Sequence, residues 1–160
     1  DASAPERDTP TLGGRGLETG PAGEAYSCYV EATRLEVSHH DDRGSLKLME
    51  RACSLDPDAP IYRFMAGVLC MKFKDLRRAL QHFDRGLRME KVPFRRGQLL
   101  LWASRAAMLV GESERALQLR RELSELRHPR LQYHKEAVKK PYRQRHLRQI
   151  TVSFALADAH

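Results

Sequence analysis

Between Pro60 and Lys91 small side chains fall where two helices would have to touch. Ala66 and Gly67 stand in one helical stretch, Ala79 and Gly86 in the next, with Phe83 among them. A face of alanine and glycine lets two antiparallel helices close to short range, and one aromatic ring then fills the gap between them. The segment therefore reads as a helical hairpin, and the fold depends on whether that hairpin recurs.

It recurs on both sides. Upstream, from Tyr26 to Pro57, Tyr29 and Ala32 belong to a first helix, and Ser45, Met49 and Ala52 to a second that ends at Asp56-Pro57. Downstream, from Gly97 to His128, the pattern continues with Leu100, Ala103, Ser104 and Ala107, a turn at Gly111, then Ala116, Arg120 and Leu123. The third register slips by a few residues. The extra material is expected between helices at 91–96, where an insertion is tolerated most easily.

The three units, 26–57, 60–91 and 97–128, resemble the tetratricopeptide-repeat family, which builds one helix-turn-helix per roughly 34 residues and needs about three units to bury a core. The resemblance covers about 103 of the 160 residues and is strongest in the middle unit. The first unit has Thr33 where the family has glycine. The third has Ser104 for that glycine and Arg120 for an aromatic residue. The resemblance implies an all-α solenoid of three helix-turn-helix units, closed by a basic capping helix at 129–149. It also implies a non-enzymatic adaptor, scaffold or chaperone-like role, in which the stacked units hold a segment of another protein.

Composition is compatible with one such domain. Residues 1–24 are rich in Pro, Gly, Thr, Ala and charge, with Leu12 and Leu17 the only large aliphatic side chains before Gly23. Such a stretch cannot offset its ordering entropy by burial, and it reads as a disordered leader or linker. The apolar run Leu99 to Ala103 is too short to cross a membrane, and no other run is long enough. The chain begins at Asp1, so the compartment is open between the cytoplasm, which is preferred, and export after removal of a targeting segment. Cys28, Cys53 and Cys70 lack Cys-x-x-Cys spacing. Cys70 is expected on an inward stripe with Ala66 and Phe73. A Cys28–Cys53 disulfide is conceivable in an exported protein.

Enzymatic motifs are missing: there is no phosphate loop, no nucleophile elbow and no His-Glu-x-x-His. His39-His40-Asp41-Asp42 supplies ligand types that transition metals use, but adjacent residues seldom converge on one ion. The bland alternative is an interhelical turn with Asp42 or Ser45 capping the next helix. No cofactor and no metal is expected.

Two surfaces are then candidates. By the resemblance, the groove is lined from each leading helix by Val30, Arg34 and Val37, by Phe64, Val68 and Met71, and by Leu101, Arg105 and Met108. Two arginines are too sparse for the Lys/Asn carboxylate clamp of chaperone-binding members, although either could pair with one acid of a ligand. The aliphatic and methionine side chains suit an amphipathic helix or extended apolar segment, or alternatively simple packing between helices.

The second surface carries the chain's excess charge. Arg127, Arg130, Lys135, Lys139, Lys140, Arg143, Arg145 and Arg148 face Glu136 alone, which matches the net charge of +7 for the whole chain. A solvated cap, an acidic protein partner, and nucleic acid or anionic lipid are the alternatives, with Pro141 expected to kink or divide the helix. Beyond it, residues 150–160 alternate Ile150, Val152, Phe154 and Leu156 with small or polar residues. This strand-like tail is expected to compete for the groove, and the ends of the array offer faces through which copies could associate.

Overall fold

A computed structural model describes residues 20–143. Positions 1–19 and 144–160, and with them Arg145, Arg148 and the tail, lie outside the described residues. Among the described residues the chain is helical throughout, as the repeat pattern predicts. The elements are α1 (Pro21–His39), α2 (Asp42–Leu55), α3 (Pro60–Lys72), α4 (Leu76–Met89), α5 (Pro93–Val110), α6 (Ser113–Glu125), a 3-10 turn at Pro129–Leu131 and α7 (Gln132–Lys139). Each odd helix pairs with its successor to make three hairpins. Successive hairpins join through α2 on α3 and α4 on α5, and α7 packs on α5 and α6. The arrangement is solenoid-like.

Proline sets where each hairpin begins. Pro21, Pro60 and Pro93 occupy the first turn of α1, α3 and α5, where the missing N–H is no loss and the fixed φ suits a helix. Two expected boundaries change accordingly. Helix α1 takes up residues assigned by composition to the leader. Residues 93–96 form the first turn of α5 instead of an inserted loop, so the register slip is absorbed by a leading helix of 18 residues against 13 in α3.

The helix ends follow local chemistry. Asp41, and neither Asp42 nor Ser45, caps α2: its Oδ1 accepts the Gly44 N–H at 2.9 Å. Gly111 closes α5 in the left-handed region at φ 91°, which an L side chain resists. Helix α7 stops at Lys139, because Lys140 is extended ahead of Pro141, and residues 144–149 of the expected cap lie outside the described residues.

The small residues do what their spacing predicts. Ala32, Ala66, Ala79, Ala103, Ala107 and Ala116 are fully buried, with Met49, Phe83, Leu100 and Leu123 packed among them. Tyr29 of α1 meets Tyr62 of α3 at 5.7 Å between ring centroids. All three cysteines are free and buried, without a Cys28–Cys53 bond. Burial pushes the Cys53 and Cys70 thiols up to about 12, so both stay protonated. Phe73 does not join Cys70 inside; it lies at the surface under the Arg43 guanidinium.

Ion pairs tie one hairpin to the next. Arg78 of α4 pairs with Glu50 of α2, and one unit later Arg115 of α6 pairs with Asp84 of α4 at 2.8 Å. The two acids hold equivalent places, directly after Met49 and Phe83. The two arginines do likewise, directly before Ala79 and Ala116. Partly exposed pairs of this kind contribute about 0–1 kcal/mol each, so they favour register more than stability. A third link is buried: the Lys72 ammonium sits 3.3 Å from Glu36 and 3.0 Å from Asp42, with the Lys72 and Glu36 side chains 8% and 2% exposed. Burial raises the Glu36 pKa, and the charge and hydrogen bond of Lys72 oppose that shift.

Candidate functional site

The leading helices α1, α3 and α5 carry the nine residues expected to line a groove, and the structure divides them. Val30 and Val37 on α1 are 47% and 45% exposed, and Met108 on α5 is 55% exposed. Phe64 is half-buried against Phe83. Val68, Met71 and Leu101 are buried, which corrects their placement on the groove surface. They are core residues, because α3 and the middle of α5 have packing partners on more than one side.

The two arginines differ more sharply. Arg34 is occupied by its own helix, donating from Nε and Nη2 to the Glu31 carboxylate at 2.8 and 2.6 Å and lying 2.6 Å from the His39 ring. That hydrogen bond holds the Glu31 carboxyl below its usual range and the Arg34 guanidinium above its own. Arg105 has no such partner among the described residues. Its guanidinium lies 4.8 Å from the centre of the Trp102 ring and 4.4 Å from that of Tyr142. Burial lowers its pKa. Two aromatic faces thus order the cation, and its buried Nε has no hydrogen-bond partner among the described residues.

No family model, curated protein or solved structure matches the chain. Among the described residues no group of three His, Cys, Asp or Glu side chains is placed to hold a metal ion, and no helix is long and apolar enough to cross a membrane.

The basic segment is spread over several environments. Arg130 lies over Phe94 at 4.6 Å, Lys139 is 3.3 Å from Glu136, and Lys140 and Arg143 are exposed beyond the helix. Lys135 and Lys139 turn toward α6 and line a cleft of about 490 Å³ with Leu117, Arg120, Arg121, Ser124, Gln132, Glu136 and Val138. Among the described residues these cations therefore meet different surroundings. Sequence reasoning missed the supports of Arg105. Trp102 was visible three residues earlier on the same helical face, whereas Tyr142 meets Arg105 only because α7 folds back on α5.

Proposed function

We propose that the chain is a non-enzymatic protein-interaction module of the tetratricopeptide type, an adaptor or scaffold subunit. Its leading helices hold an amphipathic segment of another protein through apolar contacts and one carboxylate. The observation that carries this is Arg105, a charge ordered by Trp102 and Tyr142 and without an acidic partner among the described residues, one helical turn from the exposed Met108. Val30 and Val37 are further exposed apolar side chains, on α1. Burying such side chains contributes about 1.5–3 kcal/mol each, enough for micromolar binding after the costs of association.

Panning a displayed peptide library on the protein, and in parallel on Arg105→Gln and Met108→Asp, tests the proposal. The enriched peptides should combine an acidic residue with neighbouring apolar ones and lose about tenfold in affinity on either variant, or about 1.4 kcal/mol. Recovery of the same peptides with unchanged affinity on both variants would refute it.

A further inference from the structure

The ladder of ion pairs along the second helices ends with its sign reversed. Glu50 and Asp84 each receive an arginine from the following hairpin, but the equivalent position of the third hairpin is Arg121. The interior position before it, filled by Met49 and Phe83 in the first two hairpins, is Arg120. Helix α7 follows without neutralising either one: Arg120, Arg121 and Lys135 make no ion pair among the described residues. The nearby Glu136 is engaged by Gln132 and Lys139, each at 3.3 Å. What remains is the cleft of about 490 Å³ between α6 and α7, with cations on its walls and apolar surface from Val138 and the 48% exposed Leu117.

We propose that this cleft is a second protein-binding site, separate from the Arg105 face, and that it takes an acidic amphipathic helix. Carboxylates of the guest pair with Arg120, Arg121 and Lys135, continuing the ladder with its charges exchanged, while an apolar side chain covers Leu117 and Val138. A polyphosphate guest fits less well. The cleft has an apolar component, a carboxylate stands among its cations, and among the described residues no aromatic ring lines it for a base to stack on. The chain's own 144–160 segment has the wrong sign, with Arg145 and Arg148 against Asp158 alone.

The test uses the whole chain and a fluorescein-labelled helical peptide in which glutamates flank a leucine, read by fluorescence anisotropy. The peptide should bind, and the Arg120→Glu/Arg121→Glu variant should lose at least about tenfold in affinity. Lys135→Glu, on the opposite wall, should weaken binding as well, so the outcome does not hang on the folding of one variant. Replacing the leucine of the peptide by serine should weaken binding severalfold, and Arg105→Gln should leave it unchanged. Equal affinity for the wild type and both charge-reversed variants overturns the proposal. So does loss of binding in Arg105→Gln, which would move the peptide to the leading helices. Displacement by a single-stranded oligonucleotide of matched charge, at equal or lower concentration than unlabelled peptide, would make the cleft a phosphate site and also overturn it.

Discussion

The ring of Phe83 stands in the space that a side chain at Gly67 would need, with Cδ1 2.7 Å from where a Cβ would lie. This contact joins α3 to α4 at the centre of the molecule, where both residues are buried.

Gly67→Ala should therefore destabilise the chain. Overpacking of this type costs about 1–3 kcal/mol, more than the roughly 1 kcal/mol that alanine returns in helix propensity. Thermal unfolding followed by circular dichroism measures the net effect. Adding Phe83→Leu should recover part of the loss, and an unchanged melting temperature in the single variant would show that the ring can move aside.

Lys72 makes a second case, since its ammonium lies between Glu36 and Asp42 with little access to water. Lys72→Met leaves the Glu36 carboxylate buried without its cation, a loss of about 3–5 kcal/mol for a broken buried pair. The double variant Lys72→Met/Glu36→Gln should regain much of it. If denaturant unfolding gives equal losses for the single and double variants, the ion pair is not what holds α1 against α3.

Acid should weaken the fold through two histidines. Burial lowers the pKa of His82 against the opposing pull of Glu50, and burial together with the charge of Arg105 lowers that of His134. On acidification below the ordinary value of about 6.5, the unfolded chain takes up these protons first, so stability falls from there down through the folded values. Above that pH both states are neutral and the contribution is flat. Glu36 has the opposite sign, because its raised carboxyl takes a proton first in the folded chain. The difference between the wild type and His82→Gln/His134→Gln isolates the histidines. Parallel stability curves for the two proteins between about pH 7.5 and 5.5 would rule out this contribution.

Core and surface positions of the leading helices should separate cleanly on substitution. Met71→Asp buries an unpaired charge and should unfold the protein or bring its melting temperature down steeply. Val30→Asp, on an exposed face, should leave melting within about 0.5 kcal/mol of the wild type while weakening peptide binding. A folded Met71→Asp protein with wild-type melting would contradict the burial of that side chain.

Much of this architecture was legible in the chain, because what positions a hairpin is local. Ala66, Gly67, Ala79 and Phe83 fall on facing sides of two helices by periodicity alone, and Ala32 and Ala103 repeat the pattern in the outer units. The prolines at 21, 60 and 93 were also in plain view and mark the helix starts better than the spacing of small residues does. The groove was less legible. Val37, Met71 and Met108 hold equivalent repeat positions, yet the outer two are open and the middle one is closed.

The sequence by itself determined that these segments are helices, that they pair, and which stripe of each faces its partner, since those properties depend on residues within one or two turns of each other. Only the tertiary structure decided which remaining faces stay open and which charges stay unspent. Exposure of Val30 and burial of Val68 depend on how many helices surround α1 and α3. The difference between Arg34 and Arg105 depends on whether an acid or an aromatic ring arrives beside the guanidinium. Tyr142 reaches Arg105 across a chain separation that no helical period can encode.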